Sequence, residues 1–155
     1  MSSWKVLLLL ALVSSVAPAT LLIISGYITC RLPLPFKYRQ LIIESDLPLG
    51  HDEYLYTGPG TRTQGSSHFY NITTQATDDG PFNGEYELLM EVHHTCNLFG
   101  QGPNYHRRVR FDLGSWSITH GTHHISYNMD LTDKGSWWPG ALKEKISGDW
   151  NKEFS

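Results

Sequence analysis

The stretch Tyr86-Glu87-Leu88-Leu89-Met90-Glu91-Val92-His93-His94 alternates apolar and polar side chains, with only Leu89 out of step. A period of two places successive side chains on opposite faces of a β-strand, one on a core and one in water. Cys96 continues the inward series. The expected inward face carries Tyr86, Leu88, Met90, Val92 and His94, and the expected outward face carries Glu85, Glu87, Glu91 and His93.

The same alternation recurs later in the chain. Val109, Phe111 and Leu113 share one face of a strand whose other face carries Arg108 and Arg110. Residues 125–131 repeat the pattern, and weaker signals predict strands at 26–30, 39–44 and 68–73. About seven short strands with this patterning predict an all-β fold, an antiparallel β-sandwich.

The first nineteen residues have the features of an export signal. Lys5 precedes an apolar run over residues 6–13, and Ala17-Pro18-Ala19 offers a cleavage site. We therefore predict a signal peptide over residues 1–19 and a secreted, extracellular mature chain that starts at Thr20. The alternative is an uncleaved membrane anchor, because apolar character continues to Ile24.

Cleavage would leave 136 of the 155 residues, which suits one domain. Those residues carry 11 Lys and Arg against 15 acids, a net charge of −4 that argues against nucleic acid as a partner. We predict a sandwich domain over residues 20–132 and a Trp-rich tail over 133–155. The tail's Trp137, Trp138 and Trp150 either pack on the sandwich or form a surface that binds a partner.

Cys30 and Cys96 are the only cysteines. Both follow the predicted cleavage site, and an oxidising compartment favours a disulfide between them. Two buried free thiols are the alternative.

Several sequence motifs, taken in their order along the chain, indicate a protein family. Gly26 and Cys30 lie in the first strand, Glu44-Ser45-Asp46 ends a β-rich segment, His94-Thr95-Cys96-Asn97 follows the alternating strand, and Arg107 opens a basic strand. Over roughly residues 25–132 these elements resemble the nematode transthyretin-like family of small secreted proteins. The resemblance implies a transthyretin-like β-sandwich, export and a Cys30–Cys96 bridge, but no defined reaction. Residues 63–67 depart from the family pattern, since they replace its usual Asp-x-x-Gly turn.

The eight histidines raise the question of a metal site. His120, His123 and His124 form the densest cluster, but adjacent His residues on a strand point to opposite faces. We therefore predict no metal site and no cofactor. His94 is expected to be a hydrogen-bonded core residue beside the bridge.

Catalysis has one specific alternative. Enzymes of the transthyretin fold that hydrolyse 5-hydroxyisourate resemble one another in ending with a Tyr-Arg-Gly-Ser motif, whereas this chain ends Asn151-Lys152-Glu153-Phe154-Ser155. No Gly-x-Ser-x-Gly nucleophile elbow occurs either. We predict that the protein is not an enzyme.

Asn71-Ile72-Thr73 is the only N-glycosylation sequon. A glycan on Asn71 requires that side chain to face water. The strand would then send Tyr70 and Ile72 to the core and Phe69 outward, because a slip of one residue exchanges the faces.

Together these features predict an extracellular binding or adaptor protein for a cell-surface receptor or another extracellular protein. The candidate contacts are Arg108, Arg110, Trp137 and Trp138. The arginine row suits an anionic lipid or an acidic partner, although a solvated strand face is the ordinary alternative. A second hypothesis, by analogy with transthyretin, is a carrier of a small hydrophobic ligand.

Overall fold

The computed structural model describes residues 19–45, 52–77, 84–99, 106–118 and 121–137. These residues form ten strands in two sheets, with no helix and therefore no helical membrane span in this part of the chain. Seven of the strands have five or more residues. The strands are β1 (Thr20–Thr29), β2 (Lys37–Glu44), β3 (Glu53–Thr57), β4 (Thr61–Arg62), β5 (Ser67–Ala76), β6 (Glu85–His94), β7 (Arg107–Ser117), β8 (Gly121–Ser126), β9 (Met129–Asp130) and β10 (Ser136–Trp137).

The first sheet has the order β5-β1-β8, and β9 also pairs with β1. β1 runs antiparallel to β5, from Thr20 opposite Ala76 to Thr29 opposite Ser67. The predicted all-β sandwich is confirmed and most of its strand pairs are antiparallel, but β1 runs parallel to β8 and β9. The alternation of side chains predicts which face a residue occupies, but it contains no information on the direction of the neighbouring strand.

The second sheet has the order β10-β7-β6-β2-β3, with β4 also paired to β2, and all its pairs are antiparallel. The register of β6 and β7 shifts between Leu88, opposite Gly114, and Leu89, opposite Asp112. This β-bulge leaves Leu113 as the extra residue. Gly114 there has a φ of 86°, a conformation that favours glycine.

The core lies between the sheets and confirms the inward face predicted for β6. Tyr86, Leu88, Met90 and Val92 are all fully buried. β1 contributes to the same cluster from the opposite sheet with Leu22, Ile24 and Ile28, and the later alternation contributes Ile125, Met129 and Leu131.

A disulfide between Cys30 and Cys96 joins the two sheets, with 5.9 Å between the Cα atoms. Cys30 directly follows β1, the middle strand of the first sheet, and Cys96 follows β6, the middle strand of the second. Both cysteines are buried in the core cluster. The predicted pairing is confirmed, and the alternative of two free thiols is wrong.

Gly26 marks the close approach of another part of the chain to β1. The pairing of β1 with β8 ends at Ser25, and Tyr127 and Asn128 bend past Gly26 before pairing resumes with β9. A Cβ at position 26 would lie 2.7 Å from the carbonyl carbon of Tyr127. The Tyr70 hydroxyl holds that carbonyl group in place, donating a 2.6 Å hydrogen bond to its oxygen.

Replacing both bridging cysteines with alanine should lower the free energy of unfolding by about 4 kcal/mol, because the bridge closes a loop of 66 residues. Urea titration of the wild type and of the double variant, each with and without reducing agent, checks this. Reductant should destabilise the wild type and leave the variant unchanged. Equal midpoints for the oxidised wild type and the variant would contradict the prediction.

Gly26→Ala should cost about 2 kcal/mol of stability, because the new methyl group meets backbone that cannot move without repacking β1. Gly65→Ala is the matched control, since a Cβ there meets nothing within 4 Å. The control should change stability by less than about 0.5 kcal/mol. Thermal unfolding of both variants measures the difference, and equal midpoints would show that β1 tolerates the methyl group.

Candidate functional site

The strand registers gather several loops at one end of the sandwich. We call this the bridge end and define it as residues 27–38, 61–69, 93–99, 106–108 and 128–137. It contains the disulfide, because β1 and β6 both finish there, and also the starts of β2, β5 and β7. The other described residues form the far half.

The bridge end exposes most of the large apolar side chains on the described surface. Six of the seven lie there, and only Tyr54 lies in the far half. Leu98 and Phe99, just after the disulfide, are 71% and 69% exposed. Large apolar side chains concentrated in one region are typical of an interaction surface, whereas single scattered ones are ordinary. The six are Tyr27, Leu34, Phe69, Leu98, Phe99 and Trp137.

Charge is also divided between the two regions. Leaving histidine aside, the bridge end as described carries six cations and two acids, whereas the far half carries two cations and seven acids. The described molecule is therefore positive at the apolar end and negative at the other, a distribution that orients an approaching charged partner. The bridge-end cations are Arg31, Lys37, Arg62, Arg107, Arg108 and Lys134.

Ion pairs and hydrogen bonds hold the segment after β9 against the bridge end. Arg107 contacts the Asp133 carboxylate at 3.0 Å and donates to the carbonyl oxygens of Asp133, at 2.8 Å, and Gly135, at 3.2 Å. The Asp133 N–H donates to the Cys96 carbonyl. β10 then pairs with β7, so the second sheet extends beyond residue 132 to Trp137.

His94 is the core residue beside the bridge that we predicted. Its ring is fully buried, and its Nδ1 accepts a 3.2 Å hydrogen bond from the Cys96 N–H. Burial lowers the pKa of His94 to about 4, and the positive charge of Arg107 adds to the effect. The side chain is therefore neutral near pH 7, with its proton on Nε2.

The second half of the outward face of β6 is buried, contrary to the expectation that Glu91 and His93 lie in water, whereas Glu85 is exposed and Glu87 half-buried. Glu91 is 3% exposed and His93 is 1% exposed. His93 Nε2 donates to one carboxylate oxygen of Glu91 at 2.7 Å, and Arg110 Nε donates to the other at 2.6 Å. Burial by itself would raise the pKa of Glu91, but these two hydrogen bonds outweigh it and lower that pKa.

Arg110 is therefore already paired with acidic side chains of the far half. Its guanidinium lies 2.6 Å from Glu91 and 3.7 Å from Asp52, and Glu91 raises its pKa. Asp52 in turn accepts a hydrogen bond from the Ser45 hydroxyl at 3.0 Å. The predicted row of Arg108 and Arg110 is thus divided, because Arg108 is half-buried opposite Ser136 of β10.

Trp137 and Asn71, the other candidate residues that the structure describes, are both exposed. Trp137 is exposed on β10, an edge strand of the second sheet, whereas Trp138 and Trp150 lie outside the described residues, as does most of the predicted signal peptide. Asn71 is exposed, with Tyr70 and Ile72 buried and Phe69 outward, which is the orientation that a glycan requires.

The histidine cluster does not converge in the described structure. His123 shares the inward-facing row of β8 with Ile125 and contacts the Trp116 ring at a tilt of 55°, with ring centroids 5.4 Å apart, whereas His124 is exposed on the outer face. His120 is outside the described residues. Within the part of the chain that can be described, no group of three His, Cys, Asp or Glu side chains is arranged to hold a metal ion.

Sequence reasoning missed Leu34, Leu98 and Phe99. Each lies within four residues of one of the two cysteines, in segments with no strand alternation. Proximity to a cysteine does not by itself indicate exposure, because Leu32, two residues after Cys30, packs against the core.

Comparisons of the chain with protein-family models, with curated proteins and with solved structures gave no match. Evidence for the function of this chain therefore comes from the geometry of the bridge end.

Lowering the pH from 6.5 to 4 should reduce stability by about 3 kcal/mol through His94. In this window the unfolded chain, with a histidine pKa of 6.5, binds a proton that the folded protein does not, so protonation favours unfolding. His94→Asn keeps a hydrogen-bond acceptor but does not titrate, and it should show a shallower pH dependence.

Urea unfolding at pH 6.5 and pH 4 measures the effect in both proteins. Part of the slope should remain in the variant, because burial also lowers the pKa of His106. Parallel pH profiles for the wild type and His94→Asn would contradict the role assigned to His94.

Proposed function

We propose that the protein is a secreted, non-enzymatic binding protein whose bridge end docks on an anionic partner at the cell surface. The observation that carries the proposal is the coincidence of exposed apolar side chains and excess positive charge at one end of the sandwich. Apolar contacts supply binding energy, and opposite charge supplies orientation and a fast encounter.

Three features of the bridge end support docking. Leu34, Leu98 and Phe99 project from loops whose bases the disulfide fixes, so little ordering should be needed on binding. Arg62 and Lys134 are exposed beside them on neighbouring segments. Trp137, a residue type common in binding hot spots, extends the apolar area along the edge of the second sheet.

The hydrogen-bonded cluster of His93, Glu91 and Arg110 supports a structural role for these three residues. His93 and Glu91 resemble a catalytic acid–base pair in geometry, but His93 is only 1% exposed and its Nε2 is already bound to Glu91. A general base must reach a proton of the substrate. The cluster instead orients Arg110 and joins β6 to β7. We therefore propose no reaction.

The start of β1 supports export. Thr20 is the first residue of the strand, and Leu22 and Ile24 belong to the core cluster. Leu22 and Ile24 would lengthen a membrane anchor, but they pack in the core of the sandwich instead. Their burial favours cleavage after Ala19 over an uncleaved anchor.

We propose that the fold is that of the transthyretin-like family. The motifs around Gly26, Cys96 and Arg107 support this proposal.

Leu98→Ser combined with Phe99→Ser should reduce binding to intact cultured cells at least about tenfold, since each removes an exposed apolar contact worth about 1 kcal/mol or more. Binding of the fluorescently labelled protein is measured by flow cytometry. The paired Arg62→Glu and Lys134→Glu variant should also bind weakly, and added salt should weaken wild-type binding. Tyr54→Ser, which removes the exposed aromatic of the far half, is the matched control and should bind normally.

Two further arms identify the partner. Trypsin treatment of the cells abolishes binding if the partner is a protein. Binding that survives trypsin and also occurs to vesicles containing phosphatidylglycerol, but not to phosphatidylcholine vesicles, indicates lipid headgroups. Equal binding by the wild type and both bridge-end variants would refute the proposal.

A further inference from the structure

We propose that Asn71 carries an N-linked glycan whose first sugar packs on the ring of Phe69. This proposal concerns the outer face of the first sheet; it rests on the export that is part of the proposed function, but not on docking by the bridge end. It rests on the register of β5 and β1, on the exposure of three side chains and on the chemistry of sugar and aromatic rings.

Phe69, Asn71 and Thr73 alternate along β5 and so point from the same face. All three are exposed, and the residues between them, Tyr70 and Ile72, are buried. Side chains two apart on a strand are separated by roughly 7 Å. A sugar ring attached to the asparagine amide extends by about this distance. The first sugar can therefore reach Phe69 without any change in the backbone.

The neighbouring strand leaves room for the sugar. Ser25 lies directly opposite Asn71, and its small side chain leaves the space above β1 open. Tyr27 lies directly opposite Phe69, and the two rings meet edge to face with centroids 5.4 Å apart. This contact orients the Phe69 ring, which remains 53% exposed.

The chemistry of the two rings is complementary. An aromatic face carries partial negative charge, and the C–H bonds on one face of a pyranose ring carry partial positive charge. Packing one on the other also removes apolar area of Phe69 from water. The same sugar would lie over β5, which is one of the edge strands of the first sheet in the described structure. Covering an edge strand protects it from pairing with another chain.

The experiment compares identical sequences made with and without the glycan. Wild type and Phe69→Ala are each produced by secretion from animal cells and from the bacterial periplasm, which does not attach this type of glycan. Mass spectrometry of the peptide containing Asn71 should show a glycan on the secreted proteins only. The glycan should raise the thermal midpoint of the wild type by several degrees and that of Phe69→Ala by less than half as much.

Tyr54→Ala, produced in both hosts, is the matched control because Tyr54 is an exposed aromatic on the other sheet. It should retain the full effect of the glycan. An unmodified Asn71 in the secreted wild type would overturn the proposal. A glycan that raises the midpoint equally with and without Phe69, or not at all, would overturn the predicted packing.

Discussion

The disulfide between Cys30 and Cys96 joins the middle strands of the two sheets at the point where both strands end. A sandwich of short strands has contacts mostly between residues far apart in sequence, so its unfolded chain has much conformational freedom to lose. A cross-link over 66 residues removes part of that freedom before folding begins. It also fixes the loops on either side of each cysteine. The loops beside the bridge can therefore expose apolar side chains and still keep a defined conformation.

Two buried polar groups of β6 are accommodated in different ways. Glu91 is held by His93 on its own strand and by Arg110 on the neighbouring strand, so a charged group is tolerated in a dry environment. At the bridge end, buried His94 remains neutral because burial and nearby Arg107 both disfavour its protonated form. The first arrangement uses charge to connect β6 and β7. The second keeps charge out of the core beside the disulfide.

The proposed binding surface and the proposed glycan meet at Phe69, which belongs to the bridge end and would lie under the first sugar. Leu98 and Phe99 extend from the tip of the bridge end, whereas Asn71 lies on the outer face of the first sheet, beyond Phe69 and towards the far half. A glycan on Asn71 would cover the edge strand and leave the tip accessible. The two proposals are therefore compatible. Both require export, but docking through Leu98 and Phe99 and packing of a sugar on Phe69 are tested separately.

The sequence alone determined the all-β class, the inward face of β6 and the core position of His94. Each of these follows from a period of two along a single strand, which is a local property of the chain. It did not determine that β8 runs parallel to β1, that Glu91 and His93 are buried, or that Leu34, Leu98, Phe99 and Trp137 share one end with excess positive charge. Those features depend on which strands become neighbours and on what covers each face. Residues far apart in sequence decide both, so only the tertiary structure brings the candidate site together.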